Sequence, residues 1–329
     1  MKKNIYKSTK TLFFVLCGLV FVFGIFSCAT TKAPKTPILT KYDDMFFWEI
    51  QGADTHGKLS TIYVLGTIHV GDERLYPLPE EIAKAYGSAD RVYGEVSTED
   101  WKLLVPRLSS KINQSLTEAK QIEMERGFAW YDTLTSEQQQ FLENKLGKAV
   151  VDSQKSNMPW VMNNFISDLS LKGTGLNANY AYDTHFITVS NNYEIPMYGL
   201  DKLDVQIDIL TYGDIDFQVE NLASTIDEFL KDEQAVYQDT ITLYETYLTG
   251  NEDALEKCLF SETKKEIEDN PKMQGYYNAL FLDRNTNWAE TFAQLIAEGG
   301  TTFVFAGSGH FIGEDSVFNI MKQNGDLSF

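Results

Sequence analysis

Ser60-Thr61-Ile62-Tyr63-Val64-Leu65-Gly66-Thr67-Ile68-His69 and Thr301-Thr302-Phe303-Val304-Phe305-Ala306-Gly307-Ser308-Gly309-His310 share one grammar, an apolar run rich in β-branched and aromatic residues closed by a Gly-x-x-His tetrad. Each run reads as a buried β-strand, and the two lie near opposite ends of the chain. A glycine at a strand end lets the backbone turn, so that the imidazole can point into a cleft. Imidazole is the commonest protein metal ligand and the commonest acid/base group near neutral pH. The chain holds four histidines, His56, His69, His185 and His310, so the same pattern at two of them marks both.

Working outward, Met45 to Ile50 and Ser60 to Leu65 flank the turn-like stretch Gln51 to Leu59 and predict a β-hairpin. Asp90 to Val96 predicts a second short strand, Glu194 to Leu200 a third and Thr301 to Ala306 the last. Helical patterns fill Trp101 to about Asn192 and Leu203 to Ile296, with Asn251 as an expected helix cap. Strands that come early, in the middle and late require a central sheet assembled from distant parts of one chain. The expected fold class is therefore α/β with large helical insertions, as one domain over residues 42–329.

His69 follows the first of these strands, Glu95 ends the second, Asp201 ends the third and His310 follows the fourth. In open α/β sheets ligands bind beyond the carboxyl ends of the strands, so four acid/base or metal-ligating groups are expected at one place. Two imidazoles with a carboxylate and no thiolate suit an open site for a divalent metal, manganese, cobalt or zinc. Asp201 has a second reading as the cap of the helix that starts at Leu203. His56, in a polar turn, is expected in solvent, and His185, on a helix, is expected as a packing or surface histidine rather than a ligand. Rival motifs fail on spacing: there is no His-Glu-x-x-His helix and no Walker lysine, and Gly307-Ser308-Gly309 comes too late in the chain to begin a dinucleotide-binding unit.

The N-terminus carries Lys2, Lys3, Lys7 and Lys10, then an apolar stretch from Thr11 to Ile25, then Ser27-Cys28. This resembles a lipoprotein signal, which implies cleavage after residue 27, acylation of Cys28 and a polar tether over 28–41. The chain is then expected to be exported and lipid-anchored in a bacterial cell envelope. The whole chain has a formal charge of -19, and loss of residues 1–27 takes it to -23, a surface that repels nucleic acid. Apart from Cys17 and Cys28 only Cys258 is present, so the domain has no internal disulfide and no thiolate zinc site.

Tyr63-Val64-Leu65-Gly66-Thr67-Ile68-His69, Glu95, Arg284-Asn285-x-x-Trp288 and Phe303 to Gly313 together resemble the TraB/PrgY/GumN family, which includes the Tiki proteins. The resemblance implies a fold of the erythromycin-esterase/ChaN-like type with both tetrad histidines and the glutamate at the active site. For Tiki-like members it implies a metal-dependent protease. It places His69, Glu95, His310 and Arg284 among the catalytic groups, and Asn285 and Ser308 beside them toward substrate. Where relatives often show Gly-Leu-Glu, this chain has Gly199-Leu200-Asp201, a shorter carboxylate.

Two functions follow as expectations. The first is a membrane-tethered, metal-dependent hydrolase that cleaves peptide or protein. The second is an envelope lipoprotein that sequesters a peptide or a metal without turnover.

Overall fold

β-Branched and aromatic runs pair as strands, and the resulting sheet sets the plan of the molecule, a computed structural model that describes residues 33–328. Six strands, β1 (Ile38–Lys41), β2 (Phe47–Ala53), β3 (Leu59–Thr67), β4 (Arg91–Gly94), β5 (Met197–Gly199) and β6 (Gly300–Gly307), lie in the order β1-β2-β3-β6-β4-β5. β1, β2 and β3 are antiparallel neighbours, whereas β3-β6, β6-β4 and β4-β5 are parallel pairs. The β2–β3 hairpin closes through Asp54, whose Oδ1 accepts the backbone N–H groups of His56 and Lys58 at 2.8 Å each. His56 is thereby left in solvent, as expected.

Parallel neighbours cannot be joined by tight turns, so the chain must cross over between them, and the helical insertions occupy those crossovers. The helix Glu80–Ser88 joins β3 to β4, the helices between Thr98 and Asn192 join β4 to β5, and those between Leu203 and Glu298 join β5 to β6. The chain therefore leaves β3, β6, β4 and β5 at the same end of the sheet. β3 and β6 are buried almost throughout because both faces are covered, which explains why their sequences are continuously apolar rather than alternating. Trp48, Ile62, Phe186, Trp288, Phe292 and Phe303 are at most 1% exposed in the sheet core.

A second apolar cluster lies among the helices of the insertions, around Phe141, Leu142, Met162, Ile166, Leu222 and Ile226. At roughly 1.5–3 kcal/mol for each fully buried large side chain, this cluster gives the helical lobe a core of its own. Residues 38–41, expected in the tether, are instead a strand. β1 pairs with β2, and Leu39 N–H donates to the Ser328 carbonyl at 2.9 Å. The tether reading missed it because four residues of half-exposed edge strand carry little pattern. Cys28 and the signal segment lie outside the described residues. Among the described residues no helix is long and apolar enough to cross a membrane.

Candidate active site

Thr67 of β3 and Gly307 of β6 sit side by side in the parallel register, so the two tetrads leave the sheet next to each other. Glu95 follows β4 on the other side of β6. Asp201 follows β5, and its N–H donates to the Glu95 carbonyl at 2.8 Å. The four expected residues thus converge at one end of four neighbouring strands.

Arg284 ties three of them together. Its Nε donates to Asp201 Oδ2 at 2.8 Å, its Nη2 to Glu95 Oε2 at 2.7 Å, and its Nη1 to both the Leu280 carbonyl and His310 Nε2 at 3.0 Å. Leu280 belongs to a π-helical turn, Asn278–Leu282, that precedes the helix Asp283–Glu298, and this widened turn presents the carbonyl to the guanidinium. The guanidinium also stacks over Trp288, 4.8 Å from the ring. Arg284 is 4% exposed, so it organises the carboxylates from behind. Arg284, which the resemblance places among the catalytic groups, has its donors turned to the protein in this arrangement.

A guanidinium can only donate, so His310 Nε2 accepts and the ring proton sits on Nδ1. That Nδ1 faces Asn285 Oδ1 at 2.6 Å, while Asn285 Nδ2 donates to the Asp315 carbonyl at 2.7 Å. The ring is neutral and wedged between Trp288 at 4.3 Å and Phe281 at 5.2 Å. Burial, then the neighbouring Arg284 charge, push its pKa down to about 3.

His69 has the opposite surroundings. Its Nδ1 lies 3.5 Å from Asp183 Oδ2, and Asp183 Oδ1 in turn accepts from Thr67 Oγ1 at 2.7 Å, so the first tetrad orients the carboxylate that backs its own histidine. The side chain of His69 is 71% accessible, in contrast to 17% for Glu95 and 4% for Asp201. Asp183 raises its pKa to about 9, an upper figure for a ring that solvent screens this well. For Glu95, burial works against the charge, but Arg284 and then the two histidines outweigh it and hold the carboxyl at about 2. Burial raises Asp201 despite its Arg284 contact, and its Oδ1 accepts from Trp288 Nε1 at 2.7 Å.

His69 and Glu95 open on a cavity of about 370 Å³ whose remaining wall is mostly apolar, including Trp101, Leu104, Leu203 and Phe305. Gly307, at the end of β6, faces His69 and Glu95. A Cβ built there would lie 3.5 Å from Glu95 Oε1, 3.6 Å from His310 Cδ2 and 3.9 Å from His69 Nε2.

The arrangement does not fit the divalent metal expected at His69, Glu95, His310 and Asp201. His310 has one ring nitrogen protonated and the other taken by Arg284, and the two carboxylates already share that cation. Among the described residues no group of three or more His, Cys, Asp or Glu is disposed to hold a metal ion.

Ser308, buried at the start of the turn after β6, packs beneath Gly66, since its Cα and Cβ would lie 3.1 Å from a Cβ on that glycine. Asp201 is not a helix cap, because Lys202 holds that position. His185 packs between Tyr76 and Phe186. Two members of the site escaped the sequence reading. Asp183 gives no local signal in a long helical block. Gln206, whose Nε2 bridges Glu95 Oε2 at 3.1 Å and Asp201 Oδ2 at 2.9 Å, is betrayed only as a polar residue on the stripe Leu203, Ile207, Leu210.

An uncharacterized protein of Treponema pallidum (strain Nichols) is 26% identical over 319 residues, covering 96% of this chain and 92% of that protein. No solved structure matches. The profile of the TraB/PrgY/gumN family matches residues 46–326. Both tetrads, the glutamate beyond β4 and the arginine that binds it fall within that span, and the chain belongs to the TraB/PrgY/gumN family.

Proposed function

We propose that the protein is a hydrolase of the cell envelope, held there by lipid on Cys28, and that it cleaves peptide bonds with His69 as its acid/base group. The observation that carries this reading is that His69, backed by Asp183, and the buried Glu95 carboxylate both line one apolar-walled cavity. Water bound there is oriented by Glu95, a permanent anion. In the neutral form of its ring, which becomes populated as pH approaches the raised pKa, His69 Nε2 takes a proton from that water as its oxygen adds to the substrate carbonyl, and returns the proton to the leaving nitrogen as the C–N bond breaks. Asp183 fixes the ring and stabilises the imidazolium formed in between, as an anion behind a histidine does generally. Arg284 and the Gln206 amide keep Glu95 ionised and aimed, while Asp201 and neutral His310 hold Arg284 in place.

The test is cleavage of a peptide library by the full-length protein, with and without chelator, alongside metal analysis. Cleavage that survives chelation and vanishes in His69→Ala is the expected result. Peptides retained but never cut would favour a sequestering protein, and loss of activity on chelation would refute the metal-free route. Mass spectrometry of the membrane-extracted protein tests the lipid, since an unmodified Cys28 behind an intact signal would remove the tether.

A further inference from the structure

The cavity on which His69 and Glu95 open takes most of its wall from two helices. Trp101 and Leu104 line it from the helix Thr98–Arg126, and Leu203 and Leu210 from the helix Leu203–Leu210. Residues three or four apart share a helix face, so each helix turns one largely apolar stripe inward. Met197 and Phe305, both buried, close the cavity against the sheet. Its volume of about 370 Å³ falls within the roughly 300–1,000 Å³ range of ligand sites.

Trp101 and Leu210 are 41% and 43% exposed. A lone exposed apolar side chain needs no explanation, but these two border the same concavity as His69 and Glu95, and they leave in water a surface that an apolar occupant would cover. Proton transfer by His69 and Glu95 needs no such wall, so the wall serves the occupant.

Gln206 sets how far this wall lies from the reacting groups. It stands on the same stripe between Leu203 and Leu210, and its Nε2 donates to Glu95 Oε2 at 3.1 Å. At a rise of about 1.5 Å per residue, the two leucines lie about 4.5 and 6 Å from it along the helix axis. An extended peptide advances roughly 3.3–3.6 Å per residue, so the wall meets the residue beside the reacting bond rather than a distant one.

We propose that this cavity is a specificity pocket that takes one large apolar side chain, leucine or an aromatic, from the substrate residue adjoining the bond cut beside His69, with Trp101 and Leu104 as its specificity-determining residues. The assignment rests on the peptidase reading of the same cavity, and its test separates the two.

The full-length protein is given an acetylated, amidated alanine hexapeptide and derivatives that carry one phenylalanine, leucine or serine at each position in turn, and mass spectrometry locates the cut. kcat/KM is expected to be higher by about tenfold or more when phenylalanine or leucine adjoins the cut, the order that a few extra buried carbons command. Trp101→Ala and Leu104→Ser are each expected to bring that preference toward one. Leu103→Ala, an exposed neighbour on the same helix that does not line the cavity, should leave it at the wild-type value. Binding of a fluorescein-labelled, phenylalanine-bearing hexapeptide to full-length His69→Ala, followed by anisotropy, reads the pocket without turnover and should weaken about tenfold when Trp101→Ala is added. Leu210→Ala serves as a further wall variant should thermal melts show Leu104→Ser unfolded. If peptides are cleaved with no preference for a large apolar residue, or with one that the wall variants leave intact, the pocket assignment is wrong while the peptidase stands. If the phenylalanine peptide binds in a Trp101-dependent way but no peptide is cut, the pocket stands and the peptidase reading alone fails. Hydrolysis of p-nitrophenyl octanoate with neither cleavage nor binding of the peptides overturns the peptide assignment.

Discussion

Gly307→Ala inserts a single methyl group into the space on which the proposed chemistry depends. Gly307 has φ -52° and ψ 129°, which alanine adopts freely, and its N–H continues to serve Glu95 Oε1 at 3.0 Å. The new carbon meets Glu95, His310 and His69 at 3.5, 3.6 and 3.9 Å, all ordinary van der Waals contacts. Folding should therefore be unharmed or improved by up to about 1 kcal/mol, through the lower entropy of the unfolded chain. The methyl, however, projects toward Oε1 and Nε2 and narrows the space in which a reacting water has to approach both. Reacting atoms have to approach within about 3–3.5 Å, and a displacement of about 1 Å costs on the order of 100-fold, close to 2.7 kcal/mol in the barrier. The companion variant Gly66→Ala should do the reverse. Its Cβ meets Trp48 Cζ3 at 3.0 Å and the Ser308 Cα and Cβ at 3.1 Å, an overpacking worth about 1–3 kcal/mol, so the melting temperature should drop by a few degrees. Thermal melts and kcat on a cleaved library peptide, measured in parallel, separate the effects. Full turnover in Gly307→Ala would refute the placement of the reacting water.

Arg284→Met should lower stability by about 3–5 kcal/mol in denaturant titrations, because it strands buried carboxylates, and unchanged melts would show the network to be dispensable. For His69 as a base, kcat/KM should rise with pH toward a plateau no higher than about 9, and Asp183→Asn should move that limb down toward the unperturbed 6.5. The raised His69 pKa contributes stability that is complete below about 6.5 and is lost as pH climbs through the folded value, so Asp183→Asn should also flatten a shallow alkaline decline in melting temperature. His310 has the opposite sign. Its folded pKa of about 3 means that the unfolded chain binds the extra proton below about 6.5, so stability should fall as pH drops from 6.5 toward 3, and His310→Gln should flatten that acid limb.

The strands, their carboxyl-end residues and the α/β class were legible in the sequence because each rests on local pattern. A continuous apolar run closed by Gly-x-x-His reads the same whatever surrounds it, and these two ends can meet those of Glu95 and Asp201 only if the sheet is assembled from distant segments. Tertiary structure alone decided what the two tetrads do. Gly66 is a packing glycine between Trp48 and Ser308, whereas Gly307 faces Glu95, His310 and His69 with room for a methyl, and a glycine has no side chain to announce which. His69 and His310 likewise look equivalent, yet Asp183 arrives from the helix Tyr182–Asn192 to back one, and Arg284 arrives from the helix Asp283–Glu298 to occupy the other. Those partners are set by how helices pack across the sheet, over separations at which the sequence carries no periodic signal. The same packing put a guanidinium where the residue types alone suggested a metal ion.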